Sequence, residues 1–292
     1  MKLVVKSRIQ LPLHHQFKAT KKMKTKKLIA SLLAAALFSP LIAFAQQDKI
    51  GELKWVAAPA IGKVGEKAEF KITGSNLYLD SIETDKFLQL NGNLPTKDAY
   101  TIANGKANWF GILKVVEEGY VKDDEKIDAD ALLESLKEGN KAGNERKKEK
   151  GLPIMTLEGW YFPPRYDNDN KRLEWGTKLR SEDGKSITVN VTTKILGRSG
   201  YTSAILVTSP ETLDKDLLDF KSTLKNFDYV SGEKYSEWKQ GDKVAAYGLG
   251  ALVLGGAAAV ATKKGGLKLL WIGILAAGAA IWAGFKKFFA KK

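Results

Sequence analysis

The sequence predicts an α+β protein whose mainly antiparallel sheet packs against two helices, followed by a C-terminal hairpin of two transmembrane helices. Short segments that alternate apolar and polar residues predict the strands, because a half-buried strand repeats every two residues. Two segments with leucines at helical spacing predict the helices. Two long uncharged runs near the C-terminus predict the hairpin.

The hairpin is predicted over residues 244–262 and 269–285, which contain no charged side chain. A hydrocarbon core of ~30 Å needs about 20 apolar residues, and about 17 are tolerated. Small residues at four-residue spacing in both runs predict close helix packing, within the hairpin or between copies in a homo-oligomer. They are Ala251, Gly255, Ala259, Ala276, Ala280 and Gly284.

The sequence leaves the number of membrane crossings open. An exported body places the lysines of residues 263–268 in the cytoplasm, as the positive-inside rule expects. A second crossing then places the four lysines of residues 286–292 outside, against the same rule. Either that tail is tolerated outside, or residues 269–285 lie along the membrane surface.

Residues 23–45 have the pattern of a secretory signal peptide. Met23 and the lysines after it precede an apolar stretch, and Ala43 and Ala45 give the small residues of a cleavage site before Gln46. An uncleaved anchor is the alternative. The predicted domains are an N-terminal extension and signal peptide over 1–45, with Met23 as the expected start, an exported domain over 46–243, and the transmembrane hairpin over 244–292.

The net charge of +14 belongs to the two ends of the chain. Residues 1–45 hold nine basic residues and residues 243–292 hold eight, and neither segment contains an acidic residue. The remaining 30 basic and 33 acidic residues give residues 46–242 a net charge of −3. No nucleic-acid partner is therefore predicted, because a basic face on the folded part is the feature that such a partner requires.

The predicted mature chain has neither Cys nor His, since the two histidines, His14 and His15, lie in the leader. This composition excludes Ser-His-Asp and Cys-His catalysis and zinc sites built on thiolate or imidazole. No cofactor or metal is predicted. Catalysis would have to use carboxylates, Lys, Tyr, Ser or Thr, and Glu158 with Glu174 is the pair considered for acid–base chemistry. Solvated charges on strands are the favoured interpretation of that pair.

Strands follow from alternation and from β-branched or aromatic residues bounded by turn residues. They are predicted over 68–72, 108–116, 154–161, 173–179, 186–193, 202–208 and 226–230. Phe162-Pro163-Pro164 is expected to stop the third of them, and Glu182-Asp183-Gly184-Lys185 to form a hairpin turn.

One helix is predicted over 129–149, with Asp128 or Asp130 as its cap, because a carboxylate can accept from the free N–H groups at a helix start. A second is predicted over 210–224, with Ser209 as cap and Pro210 as the first helical residue.

The candidate binding residues are Arg165, Tyr166, Asp167 and Arg198. The first three follow an aromatic run, and aromatic residues with Arg are typical of binding hot spots. Arg198 lies between two glycines, where a backbone nest for an anion is weighed against a simple connection between strands. A calcium loop over 167–178 is disfavoured because Arg172 stands where such a loop needs Gly, so an Asx-rich turn is preferred.

A set of short motifs occurs in a familiar order along the chain. They are Gly119-Tyr120-Val121, Ile127-Asp128-Ala129-Asp130, Asn144 with Arg146, Gly159-Trp160 with Pro164, Tyr166-Asp167, Leu173-Glu174-Trp175, Val189-Asn190, Leu196-Gly197-Arg198-Ser199-Gly200, Asp242-Lys243 and Ala246-Tyr247-Gly248. From about Trp55 to Phe289, the chain resembles the exported, membrane-anchored bacterial proteins catalogued as domain of unknown function 2167. The resemblance implies membrane anchoring and bacterial origin, and it implies no activity and no catalytic residue.

The sequence therefore predicts a protein of the bacterial inner membrane whose domain lies on the periplasmic side and binds or scaffolds another molecule. Its expected partners are the lipid bilayer and an envelope or inner-membrane protein, or further copies of this chain. The alternative is a carboxylate-dependent envelope enzyme such as a glycan hydrolase.

Overall fold

The computed structural model describes residues 49–256, except for residues 92, 94–95, 108, 150 and 152. The predicted signal peptide and residues 257–292 of the predicted hairpin lie outside the described residues. The strands of the described part are β1 (Val56–Ala57), β2 (Ala60–Val64), β3 (Ala68–Ile72), β4 (Asn76–Leu79), β5 (Ala99–Asn104), β6 (Phe110–Val116), β7 (Met155–Asp167), β8 (Arg172–Ser181), β9 (Ile187–Gly197), β10 (Gly200–Thr208) and β11 (Phe227–Tyr229). The helices are α1 (Ser81–Leu90), α2 (Ala129–Glu149), α3 (Leu213–Thr223) and α4 (Leu249–Leu254), with 3₁₀ turns at Leu224–Asn226 and Tyr235–Glu237.

The strands form two sheets in which every neighbouring pair is antiparallel. The large sheet has eight strands in the order β1-β4-β5-β6-β10-β9-β8-β7, and the small sheet has the order β11-β3-β2. The α+β class and the mainly antiparallel sheet are therefore confirmed.

Strands β9 and β10 lie in the middle of the large sheet and are buried along almost their whole length. Their composition of Val, Ile, Thr and Leu suits a strand covered on both faces. They are joined directly at Arg198 and Ser199, and Gly197 pairs with Gly200 across the turn. The two strands therefore extend beyond the predicted ranges of 186–193 and 202–208 and almost meet at the turn.

One face of the large sheet is covered by the small sheet and α3. Phe220 of α3 is fully buried and meets the Trp109 ring edge-on, with 5.4 Å between ring centroids. The indole nitrogen of Trp109 donates to Asp219 over 2.8 Å, so the buried polar atom of this core has its partner. Helix α3 begins after Thr212 rather than at Pro210, three residues later than predicted.

The opposite face is covered by helices at its two sides. Helix α1 packs on β4 and β5 through Phe87 and Leu88, while α2 and α4 pack on the β7–β9 side. Asp128 accepts a hydrogen bond from the Ala131 N–H over 3.1 Å, which confirms it as the cap of α2. Helix α1, capped by Asp80, was not predicted.

Strand β7 continues through Pro163 and Pro164 to Asp167, although these prolines were expected to end it. The strand lies at the edge of the large sheet, where an absent N–H on the outer side costs no ladder hydrogen bond. The pairing with β8 shifts register between Phe162 and Arg165, which accommodates the two prolines.

The first predicted transmembrane run begins inside the folded body. Val244 forms a parallel bridge with Tyr120, and Leu252 of α4 is fully buried in the core. Helix α4 has six residues and ends at Leu254, and the next residue, Gly255, has a left-handed φ of 108°. The expectation of one helical face through Ala251 and Gly255 is therefore wrong, because Gly255 lies after the helix end. In the stretch from 49 to 256, where described, no helix has the length and apolar character that a membrane crossing requires.

Candidate functional site

A cavity of ≈340 Å³ lies on the helical face of the large sheet. The sheet forms its floor, and α2 and α4 form one wall through Leu136, Leu252 and Val253. The opposite side is closed near Thr96 and Ala99, next to the core beneath α1. The cavity therefore occupies the gap between the two groups of helices, over the central strands.

Two rows of side chains cross the floor, because residues directly opposite in antiparallel strands point to the same face. The apolar row joins Ile112 on β6, Ile205 on β10, Thr192 on β9 and Trp175 on β8. The row beside it is polar.

The polar row joins Lys114 on β6, Ser203 on β10 and Lys194 on β9. The ammonium of Lys194 donates to the Ser203 hydroxyl over 2.9 Å. It lies 4.8 Å from the ring centroid of Tyr201 and 5.9 Å from that of Trp175, which are favourable cation–π distances. The pairing register of the strands thus places Lys194 in the cavity floor, next to a hydroxyl and two aromatic rings.

Lys194 is 9% exposed. Burial lowers the pKa of its ammonium to about 7, and the Glu118 carboxylate opposes part of that change. Within the described ranges, Lys194 forms no ion pair. Near neutral pH, the group is therefore partly protonated, and its charged form lacks a protein counterion in contact.

The other charged groups of the cavity have protein partners. Lys114 donates to the Lys97 carbonyl oxygen over 2.9 Å, and burial lowers the pKa of its ammonium. Glu117 forms an ion pair with Lys67 at 2.9 Å, and Glu118 accepts a hydrogen bond from the Tyr247 hydroxyl. Lys194 is thus distinguished by a contact shell of a hydroxyl and two aromatic rings.

The α2 wall is held to the sheet by an amide. The Asn140 side chain donates to the Met155 carbonyl oxygen over 3.0 Å and accepts from the Leu157 N–H over 3.0 Å. Asn144 donates to the same Met155 oxygen over 2.9 Å. These bonds to the edge strand fix the position of α2 over the cavity.

The predicted binding residues Arg165, Tyr166 and Asp167 lie at the end of β7 and do not line the cavity. Arg165 lies over the Phe162 ring with 4.5 Å to its centroid. The Tyr166 hydroxyl donates to Asp123 over 2.8 Å, and Asp167 accepts from two backbone N–H groups of its own turn, each over 3.0 Å. The side chains of Tyr166 and Asp167 are therefore hydrogen-bonded within the fold. The Asx-rich turn that the sequence predicts is present.

Arg198 is the fourth predicted binding residue, and its side chain also bonds to other groups of this chain. Its guanidinium donates to both carboxylate oxygens of Asp242, each over 2.7 Å, and to the Gly232 carbonyl oxygen over 3.0 Å. The neighbouring Ser199 hydroxyl donates to Glu233 over 2.6 Å. The anionic groups held at this turn therefore come from the chain itself.

Glu158 and Glu174, considered as a catalytic pair, are held apart by the sheet. Glu158 pairs with Arg180, and Glu174 pairs with Lys221 at 2.7 Å. Glu158 lies opposite the boundary between Lys178 and Leu179, so roughly 15 Å of strand separates the two glutamates at ~3.3 Å per residue. Glycosidase carboxylates lie ~5–9.5 Å apart, so this geometry gives the hydrolase alternative no support.

Sequence reasoning missed Lys194, although one feature marks it. It is the single charged residue between Lys185 and Arg198, in a run otherwise typical of a buried strand. Lysine is rarely buried without a partner, so such a residue in a two-sided core strand indicates a functional or solvent-filled space.

The fold and the cavity define an α+β protein with an eight-stranded antiparallel sheet and a mainly apolar cavity on one face of that sheet. The family model described as Protein of unknown function (DUF2167) matches residues 56–285, and the chain belongs to this family.

Among solved structures, the chain matches the solution structure of cyanobacterial PsbP (CyanoP) from Synechocystis sp. PCC 6803. Its sequence is 12% identical, the match covers 60% of this chain and 95% of that chain, and the TM-score is 0.34. Among curated proteins, no match was found.

Proposed function

We propose that this protein is a ligand-binding domain of the bacterial envelope that holds one small, mainly apolar molecule in the cavity over β6, β10, β9 and β8. The observation that carries the proposal is the cavity itself, ≈340 Å³ lined largely by apolar side chains. Protein interiors are normally packed with few voids larger than a water molecule. Ligand sites have volumes of ~300–1,000 Å³ and mainly apolar walls, and this cavity has such a volume and such a wall.

The proposed location is the inner membrane, with the domain on the periplasmic side. Support comes from the signal-peptide pattern over 23–45 and from the uncharged run over 269–285. Leu252–Leu254 of α4 line the cavity, and α4 precedes the uncharged run over 269–285 in the sequence. A ligand site close to such a run suits a molecule that partitions between water and lipid.

Binding to an envelope or inner-membrane protein, and self-association through Ala259, Ala276, Ala280 and Gly284, belong to the same proposal. Their support is the spacing of small residues, which allows close helix approach.

The test uses the full chain in amphipol and the neutral fluorescent probe N-phenylnaphthylamine. Ile205→Trp fills the middle of the cavity floor, because Ile205 lies between Ile112 and Thr192. Leu218→Trp places the same ring on an exposed face of α3, where Leu218 is 72% exposed, and serves as the control. We expect saturable probe binding to the original chain and to Leu218→Trp, and its loss in Ile205→Trp. Equal binding by all three would contradict the proposed function.

A further inference from the structure

We infer that the ligand of this cavity is an amphiphile with a single carboxylate, of the fatty-acid class, whose carboxylate pairs with Lys194 and Ser203 while its chain lies along the apolar row. The inference rests on the proposed function and names the ligand class for that site.

The first reason is the environment of the Lys194 ammonium. A buried cation is costly unless an anion and hydrogen bonds compensate for the lost water. Its contacts are the Ser203 hydroxyl at 2.9 Å and the rings of Tyr201 and Trp175. A carboxylate entering the cavity would supply the missing negative charge.

The second reason is the donor geometry of the polar row. The Ser203 oxygen accepts from Lys194, which leaves the hydroxyl proton free to turn toward a ligand oxygen. Lys114, on the other side of Ser203, already donates to a carbonyl oxygen. One ammonium and one hydroxyl match the single charge and two oxygens of a carboxylate better than the double charge of a phosphate monoester.

The third reason is the neighbouring row. Ile112, Ile205 and Trp175 continue the floor directly beside the polar row, and Leu252 and Val253 face it from α4. A chain of methylene groups on this surface is stabilised because its apolar area is removed from water. The charged site and the apolar surface are therefore adjacent, as an acid with an alkyl chain requires.

Binding should depend on pH. The titratable and charged groups that share the cavity with Lys194 are Lys114, Glu117 and Glu118 from β6 and the segment after it, and Tyr201 from β10. The free site has an ammonium whose pKa is about 7. A bound carboxylate raises that pKa, so binding takes up a proton above pH 7, and affinity for the acid should fall by about tenfold per pH unit there.

The experiment compares dodecanoic acid with dodecanol as displacers of N-phenylnaphthylamine from the full chain in amphipol. The two displacers share one chain and differ in the headgroup. We expect the acid to bind at least tenfold more tightly than the alcohol at pH 6.5. Lys194→Met should remove this preference by lowering the affinity for the acid, and the acid preference of the original chain should decline above pH 7.

Equal affinity of the original chain for acid and alcohol would overturn the inference while leaving the proposed function standing. A preference that persists in Lys194→Met, or that does not change with pH, would also overturn it. Tighter displacement by dodecyl phosphate than by dodecanoic acid would reject the carboxylate in favour of phosphate. Failure of the probe itself to bind would instead remove the proposed function, and this inference with it. The pH series needs no variant, so poor folding of Lys194→Met would not prevent the test.

Discussion

Arg198 binds both carboxylate oxygens of Asp242, with 2.7 Å between each donor nitrogen and its oxygen. The pair connects the β9–β10 turn to the segment that leads into the C-terminal apolar run. Beyond it, Tyr120 donates its N–H to the Lys243 carbonyl oxygen over 2.8 Å, and the Ala245 N–H donates to the Tyr120 carbonyl oxygen over 2.9 Å. The start of the apolar run is therefore held next to the large sheet by the Arg198–Asp242 ion pair and by two backbone hydrogen bonds of Tyr120.

Asp242→Asn should loosen this segment, because a neutral amide cannot replace a charged partner with two equivalent acceptor oxygens. We expect faster amide hydrogen exchange at Lys243 to Tyr247 and little change in β9. Asp228→Asn is the matched control, since Asp228 forms an exposed pair with Lys234 at 2.7 Å. Equal exchange in the two variants would show that the Arg198 pair does not fasten the segment.

The same pair predicts a response to acid. The Arg198 guanidinium lowers the pKa of the Asp242 carboxyl to about 2. A carboxyl whose pKa is lowered on folding contributes stability that is present above its usual value near ~4 and is lost as the pH falls toward 2. Exchange at the Ala245 amide should therefore stay slow, after correction for intrinsic rates, down to about pH 4 and rise below it. A rise already at pH 6 would contradict this assignment.

Lys194→Met should stabilise the ligand-free protein at neutral pH. The folded pKa of Lys194, about 7, is below the usual value of ~10.4, so the charged form costs folding free energy at and below pH 7. That cost is about 5 kcal/mol at most and decreases as the pH rises from 7 toward 10. We expect a rise in Tm of several degrees at pH 7 that becomes smaller at pH 10.

Lys178→Met is the control for this measurement, because Lys178 is an exposed lysine of the neighbouring strand β8. A fall in Tm for Lys194→Met at pH 7 would mean that the buried ammonium is already paired in the ligand-free protein.

Gly111→Ala should destabilise the fold. A Cβ at Gly111 would lie 2.7 Å from the ring of the fully buried Phe220, so α3 would have to move off the sheet. Overpacking of this kind costs about 1–3 kcal/mol. Gly159→Ala is the matched control, since no atom lies within 4 Å of the added methyl group there. Urea unfolding of the two variants measures the difference, and equal midpoints would contradict the packing described for α3.

Tyr166→Phe tests whether a predicted binding residue is structural. The Tyr166 hydroxyl donates to Asp123, which also accepts from Lys171, each over 2.8 Å. Loss of this bond should lower the free energy of unfolding by about 1 kcal/mol. Tyr161→Phe removes a more exposed hydroxyl bond of 3.2 Å to Asp214 and should have a smaller effect. If Tyr166→Phe lost no stability, the hydroxyl would have no structural role, and Tyr166 would again be a candidate binding residue.

Local patterns were enough to predict much of the sheet. The alternation over 68–72 became β3, and the turn at residues 182–185 joins β8 to β9 as expected. The Asp128 cap was also identified correctly, because a cap depends on a few neighbouring residues. These features depend on residues that are close together in the sequence, so they can be predicted from the sequence alone.

Features that depend on distant neighbours were missed. Pro163 and Pro164 are tolerated in β7 because it is an edge strand, and the strand order that makes it an edge is not visible locally. Lys194 lies beside Ser203 through strand register, and the cavity above them exists because α1 and α2 cover opposite sides of the sheet. Arg198 was noticed for its glycine neighbours, but its partner Asp242 lies 44 residues away.

The most direct test of the cavity as a ligand site is photo-crosslinking of the full chain with a diazirine-bearing fatty acid, followed by peptide mapping. We expect labelling of peptides that contain β9, β10 and α4, competition by dodecanoic acid, and loss of this labelling in Ile205→Trp but not in Leu218→Trp. Labelling confined to peptides from residues 269–285, or labelling of β9 and β10 that Ile205→Trp leaves unchanged, would contradict the account.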